Sequence, residues 1–171
     1  INGDYLGIHN IREKVNEDYI SKNHLIEEGT FDMVENENYA EAGDLKEYNT
    51  FLQLHSKNLS VQANYDSVGE AMDIENFTDL VCTELYCGNT SIRHNVMAWK
   101  PKDSSKWKWI LMDLDRSFFS PQDRDISFYA GKSVLPFGNL MANLNYRSYF
   151  AKRLADHLYT SYNPIRICNL I

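Results

Sequence analysis

Apolar residues recur at helical spacing in several parts of the chain, and polar turn residues separate these segments. The clearest helix is predicted from Asp73, a good N-cap, to Gly88, which suits the position just beyond a helix C-terminus. A second strong helix is predicted over about 145–159, and a weaker pattern covers 45–59. A cap at Asn16–Asp18 predicts one more short helix. Helices should therefore make up much of the fold.

An alternating apolar pattern near residue 100 predicts a β-hairpin. One strand opens at His94-Asn95, the turn-rich segment 100–105 follows, and an apolar strand then runs from Trp107 into Asp113 and Asp115. Because side chains alternate faces along a strand, the two aspartates should lie on one side, about 7 Å apart. Antiparallel pairing should bring Asn95 to the same edge. Such oxygen ligands suit a divalent cation such as Mg²⁺ bound between phosphates.

Two further features lie in the first part of the chain. Asn2-Gly3 is a hairpin signal, and a strand over about 5–11 should lead through a short connector into the helix capped at Asn16. The segment 27–47 holds eight of the chain's 24 carboxylates against one Lys. We interpret it as a solvated insertion or an irregular helix-turn segment, in preference to a docking surface for a basic protein. The second interpretation stays open.

Composition narrows the possible functions. The chain has 171 residues, of which 43% are hydrophobic, so it is the size of one domain with one core. A net charge of −7 would repel a phosphate backbone, which argues against a nucleic-acid partner. The three cysteines lack zinc-knuckle spacing, and an odd number is a poor disulfide framework. The sequence contains no apolar run long enough for a transmembrane segment.

Three motifs follow one another in a specific order. They are Asn2–Lys14, then Gly88-Asn89 with His94-Asn95, and then the run Trp109-Ile-Leu-Met-Asp-Leu-Asp115. Together with Ala151–Asp156 they resemble the spore-coat protein H (CotH) kinase family over nearly the whole chain. The resemblance implies an α+β, protein kinase-like fold, in which the last hairpin of the small lobe precedes a mainly helical large lobe with a catalytic β-hairpin.

The same resemblance implies a domain organisation. Residues 1–171 would form a single partial CotH-like kinase domain that lacks most of the small lobe. Residues 1–15 would be the end of the small lobe and the hinge, and 16–171 would be the large lobe, with the acidic insertion at about 27–47.

The family likeness implies an atypical protein kinase that uses ATP and Mg²⁺ to phosphorylate Ser or Thr of a protein, in a spore coat, at a cell surface or after secretion. By this likeness Asp113 would bind the metal with support from Asp115, and Asn95 would hold a second metal. The connector Glu13-Lys14-Val15 would occupy the adenine-binding hinge. Arg93 could neutralise phosphates, although a surface ion pair explains it equally well. A basic, Ser-rich protein would suit the acidic segment as a substrate.

The chain departs from the family pattern at a residue that matters for chemistry. Ser91 stands where the family usually has the Asp that accepts the substrate hydroxyl's proton, and a serine cannot act as that base near neutral pH. Because phosphoryl transfer depends mainly on positioning and charge, loss of the base should slow turnover without necessarily abolishing it. The segment 116–119 also lacks the glycine often found there. Two alternatives follow: a pseudokinase that binds nucleotide without transfer, and, more remotely, a hydrolase that uses Asp113 and Asp115 as a carboxylate pair.

Overall fold

The structure is a computed structural model that describes residues 13–104, 106–119, 126–131 and 136–169. The hairpin and strand predicted within residues 1–11 lie outside these ranges. The described elements are, in order, α1 (Glu17–His24), β1 (Phe31–Glu35), β2 (Tyr39–Ala42), α2 (Lys46–His55), α3 (Gln62–Ala71), α4 (Ile74–Cys87), a 3₁₀ turn (Ile92–His94), β3 (Met97–Pro101), β4 (Lys108–Ile110), α5 (Ile126–Gly131), α6 (Phe137–Leu140), α7 (Leu144–Tyr159) and α8 (Pro164–Cys168). The combination of helices with a small sheet confirms the predicted α+β class.

The strands form one antiparallel sheet in the order β2-β1-β3-β4. β3 and β4 are the predicted hairpin, in which Met97 pairs with Ile110 and Trp99 with Lys108. The start of β3 therefore meets the end of β4 at one edge of the sheet. Asn95 lies just before this edge and Asp113 just after it. The antiparallel hairpin is confirmed, but its first strand begins at Met97 and not at His94-Asn95, which lie in and directly after the 3₁₀ turn.

The acidic segment contains regular structure, which corrects the expectation of an irregular insertion. Residues 31–35 form β1, an inner strand of the sheet, and its apolar side chains at 31, 33 and 34 are buried. The turn into β2 uses left-handed backbone at Asn36 (φ 49°) and Glu37 (φ 68°). Asn36 also fixes the start of β3, because its N–H donates to the Val96 carbonyl at 2.8 Å and its Oδ1 accepts from the Val96 N–H at 3.2 Å. Apart from Asp32, the carboxylates of the segment remain exposed or half-buried. The high density of charge therefore led the sequence analysis to miss the strand.

A hydrophobic core lies against each face of the sheet. On one face Val34 and Trp109 join the larger core, which is built with α2, α3, α4 and α7. On the other face Met33 and Ile110 join a smaller core that includes Ile20 of α1. Alternation along β1 thus places neighbouring side chains in two different cores.

The main helices confirm the sequence pattern. Asp73 caps α4 by accepting from the Asn76 N–H at 3.1 Å, and Gly88 ends it with a left-handed φ of 65°. Helices α1, α2 and α7 also lie where predicted. Helix α3 was not predicted, because Val68 is its one buried residue and its apolar pattern is weak. No helix in the described ranges is both long and apolar enough to cross a bilayer.

Candidate functional site

The segment that leads to Asp113 is fastened along helix α4. At its start the Asp73 N–H donates to the Trp107 carbonyl at 2.8 Å. The Asn76 side chain then binds Trp109 in both directions, donating from Nδ2 to the carbonyl (3.1 Å) and accepting at Oδ1 from the N–H (2.6 Å). These bonds satisfy backbone groups on the outer side of the edge strand β4. Helix α4 therefore fixes the position from which the chain enters the candidate site.

A buried amide, Asn89, joins the two loops that carry the predicted site residues. It is fully buried and follows Gly88, where α4 ends. Its Nδ2 donates to the Asp113 carbonyl at 3.3 Å, and its Oδ1 accepts from the Ser91 N–H at 3.0 Å. One side chain thus connects the loop after α4 to the segment after β4.

Asp113 and Asp115 do not continue β4, contrary to the prediction. The strand ends at Ile110 because its partner β3 begins directly opposite, at Met97. Asp113 has a left-handed φ of 55°, which ends the alternation of side chains between faces. Asp113 is half-buried, whereas Asp115 is exposed. The strand-based reason for pairing these carboxylates is therefore wrong, and the hydrolase alternative loses the geometry that motivated it.

The remaining loop residues lie between α4 and β3. Ser91 is half-buried and precedes the 3₁₀ turn. Asn95 is half-buried and ends the turn, with its N–H donating to the Ile92 carbonyl at 3.3 Å. The backbone of Arg93 lies within the turn, but its side chain is outside the part of the chain that the structure describes.

A cleft of about 660 Å³ opens beside this edge of the sheet. Its lining brings the connector Glu13-Lys14-Val15 together with Asp113, although these segments are far apart in the sequence. The other lining residues are a tyrosine of α1, two carboxylates of β1 and β2, and three apolar residues of the hairpin region: Tyr19, Glu35, Glu41, Met97, Leu111 and Met112. Lys14 Nζ, on an exposed side chain, lies 3.9 Å from Glu41 Oε1.

Glu84, near the end of α4, is a buried carboxyl that contacts Asn89. Burial raises the pKa of Glu84 to about 7, and a hydrogen bond from the Asn89 side chain partly offsets this rise. The Tyr129 hydroxyl of α5 lies within donating distance of two carbonyls, those of Glu84 (2.9 Å) and Asn89 (3.1 Å). The sequence reasoning missed Glu84. The available signal was a charged residue on the apolar stripe that includes Phe77 and Val81.

The described residues contain no cluster of three or more His, Cys, Asp and Glu side chains able to hold a metal ion. The predicted ligands Asp113, Asp115 and Asn95 are a different kind of set, two carboxylates and one amide. All three offer oxygen atoms, the donors that Mg²⁺ takes.

A family model for the CotH kinase protein matches residues 1–171. The chain belongs to the CotH kinase family. Neither a curated protein nor a solved structure matches it significantly. The resemblance stated from the sequence motifs is therefore confirmed, and membership in the CotH family indicates a kinase-like function.

Proposed function

We propose that this CotH-family chain is a protein kinase-like phosphotransferase that uses ATP and Mg²⁺ to phosphorylate Ser or Thr of a protein. The observation that carries the proposal is the cleft shared by Glu13-Lys14-Val15 and Asp113. The family likeness assigns the first to adenine and the second to the metal. A nucleotide spanning the cleft would contact both segments.

The charges in the cleft support a role for divalent cations. Among the described residues, the cleft lining contains one lysine, Lys14, and four carboxylates, Glu13, Glu35, Glu41 and Asp113. A triphosphate would be repelled by so many carboxylates unless cations lay between them. We assign Asp113 and Asn95 as metal ligands. Asp115 is exposed and would support Asp113 or a second metal.

The apolar part of the cleft lining suits a base. Val15, Met97 and Leu111 offer apolar contacts, and the backbone of residues 13–15 offers N–H and C=O groups for adenine edges. Arg93 is assigned to phosphate neutralisation. In the transfer step the substrate hydroxyl oxygen bonds to the γ-phosphorus, the bond to the ADP oxygen breaks, and the hydroxyl proton leaves to solvent.

Ser91 favours a second candidate, a pseudokinase that binds nucleotide and recognises a protein without transferring phosphate. Its N–H is held by Asn89, so its backbone has a defined place in the loop, but its hydroxyl is not a base near neutral pH. The two candidates share the cleft and differ in turnover.

The test is incorporation of labelled phosphate from ATP into a Ser-rich basic protein in the presence of Mg²⁺, using the longest native form of the protein. Asp113→Asn should abolish incorporation and Mg²⁺-dependent ATP binding. The matched control is Asp103→Asn, an exposed aspartate at the turn end of the same hairpin, which should behave as the wild type.

Three results separate the candidates. Label that disappears with Asp113→Asn supports the kinase. ATP binding without label supports the pseudokinase. ATP binding that Asp113→Asn leaves unaltered contradicts the metal assignment, and the absence of any ATP binding contradicts both candidates.

A further inference from the structure

We propose that Glu84 is a positioning residue of the candidate site, which acts through Asn89 to fix the loop of Ser91 relative to the segment of Asp113. Its value for phosphoryl transfer rests on the proposed function, whereas its structural effect can be measured without nucleotide.

The first observation is the burial of an ionisable side chain that is only partly compensated by hydrogen bonds. Glu84 is 1% exposed, and its Oε2 has no hydrogen-bond partner among the described residues. It also forms no ion pair within those residues. A buried carboxyl in this state lowers the stability of the fold relative to an apolar side chain of the same shape. A contribution other than stability would account for a carboxyl at this position.

The second observation is the way in which the polar atoms of Asn89 are used. Nδ2 donates to the Asp113 carbonyl, the backbone N–H donates to the Glu84 carbonyl at 3.2 Å, and the Asn89 side chain is the hydrogen-bonding neighbour that lowers the pKa of the Glu84 carboxyl. Oδ1 accepts from the Ser91 N–H. Both ends of the amide are therefore engaged, each with a group of the opposite kind.

Glu84 determines which end of this amide faces Asp113. If the Asn89 amide turned by half a rotation, Oδ1 would face the Glu84 carboxyl and the Asp113 carbonyl, all of them acceptors. Above its pKa of about 7 the Glu84 carboxyl is ionised and accepts hydrogen bonds only, so it disfavours that orientation. The other orientation keeps both loops tied to the same side chain.

The third observation is a pair of hydrogen-bonding contacts from a side chain outside the loop. The Tyr129 hydroxyl reaches the carbonyls of both Glu84 and Asn89. The backbone on each side of the carboxyl-amide contact is therefore anchored to α5. Because Glu84 is inaccessible to a substrate, it cannot replace the proton acceptor missing at Ser91, and positioning is the role that the geometry permits.

The first experiment measures amide hydrogen exchange at Ser91 by NMR in the nucleotide-free protein. Glu84→Met removes the acceptor at nearly constant shape, and it should accelerate Ser91 exchange about tenfold, as expected for weakening one hydrogen bond. Glu84→Gln keeps an acceptor oxygen and should largely restore protection. The matched control is Glu75→Met, the same change at an exposed position of α4, which should leave Ser91 exchange unaltered.

The second experiment is a double-mutant cycle with Mg²⁺-dependent ATP affinity as the readout. Glu84→Met should weaken binding in the wild-type background and have little further effect once Asn89→Ala is present, because the pathway through Asn89 is already lost. Additive effects of the two substitutions would overturn the proposal.

The outcomes separate this proposal from the proposed function. Faster Ser91 exchange in Glu84→Met without any ATP binding supports the positioning role and contradicts the kinase. Unchanged exchange in a folded Glu84→Met protein overturns the positioning role whatever the nucleotide result. If Glu84→Met does not fold, the test is the rate of hydrogen exchange of the Asn89 side-chain amide in the wild type. Exchange as fast as at exposed Asn169 would overturn the proposal, and strong protection would support it.

Discussion

Asn89 Nδ2 donates a hydrogen bond to the backbone carbonyl of Asp113 at 3.3 Å. The bond links the end of α4 to the cleft-lining segment that follows β4. Asp113 lies beyond the sheet and has a left-handed backbone, so strand pairing does not determine its position. A side chain from the preceding loop contributes to that position instead.

Replacing Asn89 by alanine should lower both the free energy of unfolding and the affinity for ATP. The change leaves the Asp113 carbonyl and the Ser91 N–H without this partner in a partly buried region and removes the buried amide, so the free energy of unfolding should fall by about 2 kcal/mol. Urea unfolding measures the loss, with exposed Asn169→Ala as the control. A fall no larger than that of the control would contradict the bridging role.

The stability of Glu84→Gln relative to wild type should depend on pH. Burial raises the pKa of Glu84 to about 7, above its ordinary value of 4.5. The folded protein therefore holds this proton more tightly than the unfolded chain, and the wild type loses stability as pH rises from 4.5 to 7, with a plateau above. Glutamine avoids that loss.

The advantage of Glu84→Gln should consequently be close to zero near pH 4 and reach roughly 3 kcal/mol by pH 8, an upper estimate from the pKa difference. Denaturant unfolding across this range provides the measurement. A difference that is constant with pH would show that Glu84 does not titrate as inferred.

Ser91→Asp should increase phosphotransfer if Ser91 occupies the position of the family's base. A positioned carboxylate that accepts a proton contributes about 10²-fold or more to such reactions. Labelled-phosphate assays under identical ATP and Mg²⁺ concentrations compare the rates. Ser91→Asn, which is similar in shape to Ser91→Asp and uncharged, should give no increase. Equal rates for the two variants would remove Ser91 from the base position.

Two glycine substitutions should have opposite effects on stability. Gly43 has a left-handed φ of 70°, and a Cβ there would lie 2.0 Å from Oδ1 of the buried Asp32. Gly43→Ala should therefore lower the free energy of unfolding by about 1–3 kcal/mol. Gly69 lies within α3, where a Cβ would lie 3.9 Å from Ile74, an ordinary van der Waals distance. Gly69→Ala should therefore raise the free energy of unfolding by about 0.5–1 kcal/mol. Thermal unfolding of both variants checks the signs.

Local signals were sufficient for part of the fold. Helix α4 could be predicted because its cap at Asp73, its apolar stripe and its terminal Gly88 agree with one another. The hairpin of β3 and β4 could be predicted from its apolar strands and its turn. Both features depend on residues close together in the sequence.

Other features depend on contacts that no local pattern contains. β1 is a strand because β3 pairs with it over residues 31–35 and 97–101, despite the surrounding negative charge. The break after Ile110 follows from where β3 begins, and the sequence continues apolar beyond it. The contact between Glu84 and Asn89 required the turn at Gly88, which brings the two side chains together.

The order of strands in the sheet has a consequence for folding kinetics. The pairing of β1 with β3 closes a loop that contains β2 and three helices, so it carries a large entropic cost compared with the local hairpin of β3 and β4. We expect the hairpin and α4 to form early and the docking of β1 to come late. The cleft needs residues from both parts, so ligand-binding competence should appear only in the final stage of refolding.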